Sequence, residues 1–414
     1  MTPRPCRGGA GVGSALFCTL FFVTLPINRR SNFGHAEVRS HSEKEKKNMF
    51  SFHFSLVFCN FANKLVKLLA LGIKNKRVCL FLHSFFVTLQ ANVHFRMNRV
   101  DFDKIFASGR HFSFEVLPPL KGSGTEGLFR TIDKLKGFEP VFINITTHHS
   151  EYVYRELPTG QFERLRLRRR PGTIAIAAAI QQKFNIPVVP HVICSGATIE
   201  DIEYELIDLQ FLGISNILLL RGDKAKDDRV FIPTPGGHAH TTDLIEQVNR
   251  FNEGFFADGS PIKSPGVKFS YGVACYPEKH EEAPNIDVDM QYLLIKQQLG
   301  ASYAVTQLFY DNQKYYDFVD KARKIGVTIP IIPGLKPMAK LSQLTVVPRS
   351  FHCDIPNELA QEAMKCKTDE DAKRLGIEWT LNQCRDLYAH GVNNIHFYTM
   401  SAVDSVKEVM ERLG

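Results

Sequence analysis

The stretch "HFSFEVLPPL", residues 111–120, predicts a β-strand that carries a functional side chain. Phe112, Phe114 and Val116 alternate as apolar residues do on the buried face of a strand. Glu115 lies on the opposite face, shortly before two prolines that must end the strand. A carboxylate in this position is more typical of a binding or catalytic site than of a core.

Seven further runs of β-branched or aromatic residues follow, and amphipathic stretches with helical spacing separate them. The eight candidate strands are residues 111–117, 141–147, 187–193, 216–222, 268–276, 303–309, 329–335 and 394–400. Alternating βα units of this number and length are typical of an α/β fold, the (β/α)₈ TIM barrel. The sequence therefore predicts a barrel with its site at the C-terminal ends of the strands.

Polar residues end six consecutive candidate strands, so we expect their side chains to meet at one face of the barrel. They are Glu115, Thr146 and Thr147, His191, the run Arg221-Gly222-Asp223, Tyr276 and Gln307. The loop "ACYPEKHEEA", residues 274–283, adds His280, and the next predicted helix carries Asp289 and Lys296. These last two residues are seven apart and thus share one helical face.

The first 96 residues differ in composition from the rest of the chain. They hold 14 Lys and Arg, only three acidic residues and 13 of the 32 Phe, leaving 37 basic and 40 acidic residues beyond them. We interpret residues 1–96 as an N-terminal extension, unstructured or translated from upstream sequence, and residues 97–414 as the catalytic barrel domain. The net charge of +8 arises in the extension, so nucleic-acid binding is not expected. An alternative for the apolar run 14–27 is a secretory leader or membrane tether, although no run reaches a membrane-spanning length.

Other motifs are weaker. "GSGTEG", residues 122–127, matches a dinucleotide-binding pattern, but "LPPLK" separates it from the strand, so we interpret it as a loop over the barrel mouth. "RLRLRRR", residues 164–170, is interpreted as a solvated basic loop. The nine Cys show no metal-ligand or disulfide spacing, which predicts no metal site and favours a reducing cytoplasm.

Taken together, these stretches resemble the methylenetetrahydrofolate reductase family in its bacterial form, which consists of the catalytic barrel alone. The matching elements, in the family's order, are "FSFEVLPP", "FINITT", "PHVIC", "LLLRGD", "YPEKHEEA" with "DVDMQYLLIK", "AVTQLFYD", "IIPGLKP" and "HFYTM". The resemblance runs from about residue 98 to 413. It implies a flavoprotein of one-carbon and methionine metabolism that uses NAD(P)H to reduce 5,10-methylenetetrahydrofolate to 5-methyltetrahydrofolate.

The resemblance also implies roles for single residues. FAD would be held by Thr146, His191, Arg221, Gly222, Asp223, Tyr276, His280, Asp289 and Lys296. Glu115 would be the general acid, Asp223 would stabilise a cation on the folate, and Gln307 would contact folate and nicotinamide in turn, in a ping-pong cycle. The family further implies a cytoplasmic homo-oligomer, and with no regulatory domain after Gly414 we expect no control by S-adenosylmethionine.

Some positions depart from the family pattern, and two other functions stay open. His240 stands where relatives often have Tyr, and "MSAVDS" follows the last strand where many have Arg; residues 336–360 are expected to form a lid-like connection near the folate. One alternative is a flavin-free barrel lyase or aldolase, with Glu115 moving protons and Lys296 or Lys336 forming an imine. The other is a membrane-tethered binding protein without turnover.

Overall fold

The first strand of the barrel, β1 (His111–Val116), forms where the alternating pattern predicts it. The structure is a computed structural model, and it describes Phe102, Ile105 and residues 109–148, 150–224, 228–400 and 402–414. The extension predicted over residues 1–96, including its apolar run at 14–27, lies outside the described residues. Phe114 and Val116 pack outward against the first helix, which leaves Glu115 facing the barrel interior.

Strands and helices alternate along the described chain. The strands are β1, β2 (Phe142–Ile145), β3 (Glu151–Glu156), β4 (Phe162–Leu167), β5 (Val188–Ile193), β6 (Asn216–Leu220), β7 (Ser270–Cys275), β8 (Tyr303–Thr306), β9 (Ile331–Ile332), β10 (Gly334–Leu335) and β11 (Asn394–Tyr398). The helices are α1 (Glu126–Leu135), α2 (Thr173–Phe184), α3 (Ile199–Phe211), α4 (Thr241–Asn252), α5 (Ile286–Gln298), α6 (Asn312–Lys324), α7 (Gln343–Phe351), α8 (Asn357–Lys365), α9 (Asp369–Ala389) and α10 (Val403–Leu413).

The parallel sheet has the order β10-β11-β1-β2-β5-β6-β7-β8-β9, which confirms the predicted TIM barrel. Each of the eight candidate strands is present, but the seventh is divided by Pro333 into β9 and β10. Proline has no N–H to donate to a ladder, so it interrupts the pairing at this residue. β9 pairs with β8 and β10 pairs with β11, and together the two short strands close the ring.

A hairpin of β3 and β4 was not predicted. The segment "RLRLRRR" was interpreted as a basic loop, and this is wrong for its first half, because Phe162–Leu167 pairs antiparallel with Glu151–Glu156. Arg155 and Glu163 form an ion pair of 2.6 Å across the two strands. The basic and exposed character of the segment is confirmed at Arg168 and Arg169, which follow the strand.

The lower half of the barrel interior is filled with apolar side chains. Phe142, Val189, Leu218, Tyr303, Val305 and Ile332 form one buried cluster there, and Phe102 closes it. The Phe102 and Tyr303 rings lie 4.3 Å apart. Gly272 makes room for this filling, because a Cβ at that position would overlap the Tyr303 ring. The bottom of the barrel interior is therefore filled mainly by apolar side chains.

The segment 336–360, expected as a lid-like connection, forms α7 and leads into α8. It is anchored by a second buried cluster that includes Leu308, Met338, Val347 and Leu359. The segment also contacts the loop after β7, since the Asp354 N–H donates to Glu278 at 2.9 Å and His352 lies 2.6 Å from Glu281.

Candidate active site

Glu115 is buried at the C-terminal end of β1, where only 6% of its surface is exposed. In the register of the sheet it lies beside Asn144 of β2 and Tyr398 of β11. Burial raises the pKa of Glu115 from 4.5 to about 8, and nearby Lys336 opposes this rise in part. At neutral pH the carboxyl group is therefore protonated and able to donate a proton.

His191 is a titratable neighbour of this acid. Its Nε2 lies 3.5 Å from Oε2 of Glu115. Burial lowers the pKa of His191 to about 3, and His148 contributes in the same direction. The imidazole is thus neutral at physiological pH, so it does not take the proton from Glu115.

A layer of polar side chains below Glu115 was missed in the sequence analysis. The Oγ atom of Ser113 and the Nδ1 atom of His396 are 2.7 Å apart, and burial lowers the pKa of His396 to about 3. Asn144 lies in the same interior and is fully buried. These residues share the parity of Glu115 along their strands, and this was the signal that could have identified them.

Several buried polar atoms at this end of the barrel have no hydrogen-bond partner among the described residues. They are both amide atoms of Asn144, Oγ1 of Thr146, Nε2 of His191, Nε2 of His396 and Nε of Arg221. Polar atoms inside proteins are nearly always paired. Those beside Glu115 and Arg221 fit a pocket that receives a polar ligand.

Lys336 follows β10 and is almost fully buried beside the acid. Its Nζ donates to the carbonyl oxygen of Met400 at 2.5 Å. Burial lowers the pKa of Lys336 to about 8, whereas Glu115 acts to raise it. Tyr398 also faces this acid; burial raises the pKa of its phenol, and Glu115 and then Tyr276 add to the rise. Tyr398 is therefore close to Glu115 and to Tyr276, a residue of the cluster that follows β7.

That cluster contains Tyr276, His280, Asp289 and Lys296. The rings of Tyr276 and His280 meet edge to face at 4.8 Å, and the His280 N–H donates to Asp289 at 2.9 Å. The Lys296 Nζ donates to the carbonyl oxygen of Ala274 at 3.2 Å. Burial lowers the pKa of Lys296, while Asp289 opposes the change. Asp289 and Lys296 thus share one face of α5, as predicted, and both interact with the residues that follow β7.

Arg221 adds a second cation to the same cluster, directly after β6. It forms an ion pair with Glu282, and its guanidinium carbon lies 4.5 Å from the centre of the Phe231 ring. Gly222 follows with φ of +83°, and a Cβ there would lie 2.8 Å from the Ser195 Cβ. Only glycine is accommodated without strain at this turn.

The remaining predicted residues, Asp223, Thr146 and Gln307, follow the strands β6, β2 and β8. The side chain of Asp223 is exposed, its carbonyl accepts from Ser195 Oγ at 2.8 Å, and its charge contributes to raising the pKa of Tyr276. Thr146 lies directly after β2 and is buried. The backbone N–H of Gln307 donates to Cys275 at 2.8 Å, while its side-chain oxygen accepts from the Leu308 N–H at 2.9 Å.

In the part of the chain that the structure describes, no three His, Cys, Asp or Glu side chains are placed to share a metal ion. Over the same residues, no helix combines the length and the apolar composition required to cross a membrane.

Comparison with known proteins gives a family. The sequence profile of the family described as "Methylenetetrahydrofolate reductase" matches residues 102–414. Methylenetetrahydrofolate reductase (NADH) 1 of Arabidopsis thaliana is 31% identical over 73% of this chain and 48% of its own length. The chain thus spans about half the length of the first curated relatives it matches. The 5,10-methylenetetrahydrofolate reductase of Escherichia coli is 26% identical over 73% of this chain and 90% of its own length.

Among solved structures, an uncharacterized protein from Clostridium thermocellum that binds two copies of 5-methyl-5,6,7,8-tetrahydrofolic acid superimposes with a TM-score of 0.46 and 14% identity. This superposition covers 76% of the present chain and 99% of that protein, and at this score it supports no conclusion. The assignment depends on the family profile, which spans the whole barrel from Phe102 to the last residue. The chain belongs to the methylenetetrahydrofolate reductase family.

Proposed function

We propose that this chain reduces 5,10-methylenetetrahydrofolate to 5-methyltetrahydrofolate, with NAD(P)H as the hydride donor and FAD as the carrier. The observation that carries the proposal is Glu115, a buried carboxyl that is protonated at neutral pH at the mouth of the barrel. Family membership supports the same reaction. Some relatives have NADH in their names and others have NADPH. Kinetic measurements with both donors would decide which of them this chain prefers.

The residues around Glu115 fit FAD. Two half-buried cations, Arg221 and Lys296, suit a pyrophosphate, and the buried Nε of Arg221 and Oγ1 of Thr146 lack hydrogen-bond partners among the described residues. His191, Gly222 and Asp223, with Tyr276, His280 and Asp289, complete the proposed binding set. When bound, the flavin would accept hydride from the nicotinamide and supply it to the folate.

Glu115 is proposed to start the folate half-reaction. Its carboxyl proton moves to the nitrogen that departs when the five-membered ring of the folate opens, which leaves an iminium cation as the hydride acceptor. His191 and His396 are too weakly basic to take that proton, since burial lowers the pKa of each to about 3. After hydride addition the carboxylate of Glu115 is reprotonated from solvent.

Asp223 and Gln307 are proposed to act on the substrates. Asp223 would place a negative charge near the iminium cation, and its electrostatic effect on Tyr276 supports a location within the site. Gln307 has an amide that would contact folate and nicotinamide in turn. One pocket that serves both substrates implies ping-pong kinetics, with parallel double-reciprocal plots; intersecting plots would contradict a shared pocket.

The proposal is tested by the visible spectrum of the full chain under anaerobic conditions. We expect a yellow protein that is bleached by NADH or NADPH and recovers its colour when methylenetetrahydrofolate is added. A protein that stays colourless with added FAD would overturn the proposal. It would favour the lyase alternative, for which Lys336, with its pKa lowered to about 8 beside Glu115, is the candidate imine former.

We further propose that the domain boundary lies near Met97 and that the chain works as a homo-oligomer in the cytoplasm. The five described cysteines are free thiols, which supports a reducing compartment. Light scattering after size exclusion would measure the subunit number, and a monomer that is fully active would contradict the oligomer.

A further inference from the structure

Lys336 lies at the same level of the barrel as Glu115, two strands away. The residues that precede Lys336, Tyr398 and Glu115 pair with one another across β10, β11 and β1, and all belong to the buried core outside the sheet; they are Leu335, Phe397 and Phe114. Because successive side chains of a strand point to opposite faces, the three residues that follow point into the barrel. The side chains of Lys336 and Glu115 therefore bridge a gap of about 10 Å, twice the spacing of neighbouring strands.

One short segment after β11 holds both residues. Oγ1 of Thr399 donates to the carbonyl oxygen of Glu115 at 2.5 Å, and the Thr399 N–H donates to the same oxygen at 3.3 Å. The next residue, Met400, accepts the hydrogen bond from Nζ of Lys336. Only 6% of the Lys336 surface is exposed, so its ammonium is fixed near the acid in a water-poor environment. An ammonium has three N–H groups, and Met400 accepts from one of them.

Two histidines face Glu115 from neighbouring positions, and both are neutral at physiological pH. Nε2 of His191 lies 3.5 Å from the Glu115 carboxyl group, and His396 lies in the polar layer below it. Burial lowers the pKa of each imidazole to about 3. A third histidine, His148, acts on the pKa of His191. His191 and His396 therefore carry no cationic proton that could pass to the Glu115 carboxylate.

The phenols at this end of the barrel hold their protons more tightly than Lys336 does. The Tyr398 O–H donates to the carbonyl oxygen of Thr306 at 2.6 Å, and burial raises the pKa of this phenol. Burial raises the pKa of Tyr276 as well. It lowers the pKa of the Lys336 ammonium to about 8, which matches the value of about 8 for Glu115. Transfer of a proton between Lys336 and Glu115 therefore costs little free energy.

We propose that Lys336 acts through Glu115 as a positioning residue, and that it returns a proton to this acid after each folate reduction. The inference rests on the proposed function, because it requires Glu115 to protonate the folate. An N–H bond of the Lys336 ammonium breaks, an O–H bond forms on the Glu115 carboxylate, and Lys336 becomes a neutral amine. The amine then takes a proton from water. Water reaches this place through a cavity of about 850 Å³, which is lined by Met400 and by the exposed Lys340.

The test separates the charge of Lys336 from its proton. Lys336→Met removes both, whereas Lys336→Arg keeps the charge but cannot release a proton. In a single turnover that starts with Glu115 protonated, folate reduction at pH 7 should persist in both variants. In the steady state, kcat should fall at least about tenfold in both, because the acid must regain its proton in each cycle. Lys365→Met is the matched control, since this lysine is exposed on α8, and it should keep the parental kcat.

The pH dependence gives a second measurement. The Lys336 cation lowers the pKa of Glu115, so its loss in Lys336→Met should move the upper pH limit of single-turnover folate reduction above about 8. Lys336→Arg should not raise this limit. Infrared titration of the Glu115 carboxyl band in the full chain, identified by its absence in Glu115→Gln, measures the same shift without turnover.

Four outcomes would overturn the inference. They are an unchanged kcat in Lys336→Met, a parental kcat in Lys336→Arg, an unshifted carboxyl titration in Lys336→Met, or an equal loss in single turnover and in the steady state, which would give Lys336 a structural role only. A shifted titration in a chain without reductase activity would refute the proposed function and leave the coupling of Lys336 to Glu115 standing. Reductase activity with parental kcat in both variants would refute the proton return alone.

Discussion

Replacing Glu115 by Gln should stabilise the fold and abolish folate reduction at the same time. The substitution keeps the size of the side chain and its polar character but removes the titrating proton. Burial raises the pKa of Glu115 from 4.5 to about 8, so the folded chain binds this proton more tightly than the unfolded chain does. The proton's contribution to stability is complete below pH 4.5 and is lost as the pH rises to about 8.

The size of the effect follows from these two pKa values. The loss of stability relative to the fully protonated state is about 3 kcal/mol at pH 7 and below about 1 kcal/mol at pH 5. Gln cannot ionise and therefore lacks this loss. The difference in unfolding free energy between Glu115→Gln and the unsubstituted chain should increase by about 2 kcal/mol, in favour of the variant, from pH 5 to pH 7.

Urea unfolding, followed by circular dichroism at pH 5 and pH 7, measures this difference in unfolding free energy. Glu253→Gln is the control, since that side chain is exposed.

Stopped-flow absorbance measures the two half-reactions separately. Flavin reduction by the nicotinamide should persist in Glu115→Gln, whereas oxidation by the folate should slow by about 10²–10⁴-fold, the usual contribution of a general acid. An identical pH dependence of stability in variant and parent, or equal loss of both half-reactions, would refute the reasoning.

Further predictions concern the acid, the cations, a glycine turn and the domain boundary. In the unsubstituted chain the folate half-reaction should fall about tenfold for each pH unit above about 8, as Glu115 loses its proton, and stopped-flow measurements at pH 7–10 would show it. Arg221→Gln should weaken FAD binding by about tenfold or more, measured by the fluorescence of released flavin. Gly222→Ala should cost about 2 kcal/mol of unfolding free energy, more than Gly160→Ala, which also has positive φ but meets no atom within 4 Å. A chain that begins at Met97 should remain folded and active; an insoluble or inactive product would contradict the proposed boundary.

The fold was predictable because its signals are local. Each strand of the barrel has a short apolar run of its own, and the helices between them have helical spacing with left-handed caps such as Asn185 and Gly326. The hairpin was missed because β4 is rich in arginine and acquires strand character only by pairing with β3. The division of the seventh strand at Pro333 was not predicted. It becomes visible only when β9 pairs with β8 and β10 pairs with β11, and these partner strands are distant in sequence.

The candidate site was predictable where a residue stands at the end of its own strand. Glu115, His191 and Arg221 were found in this way. Lys336 was weighed only as an imine former, because its contact with Met400 and its effect on Glu115 arise from loops that meet only in the closed barrel.

The proline in the seventh strand also has a dynamic consequence. Two ladders of only two residue pairs each, Ala304 to Val305 with β9 and His396 to Phe397 with β10, hold the ring shut at this position. Short ladders open at lower free energy than long ones, so amide hydrogens of β9 and β10 should exchange with solvent faster than those of β5 and β6. Lys336 comes directly after β10, the second of these two short strands. Local opening of the ladders of β9 and β10 would therefore let the barrel mouth widen for substrate entry. The strands β5 and β6 would stay paired meanwhile.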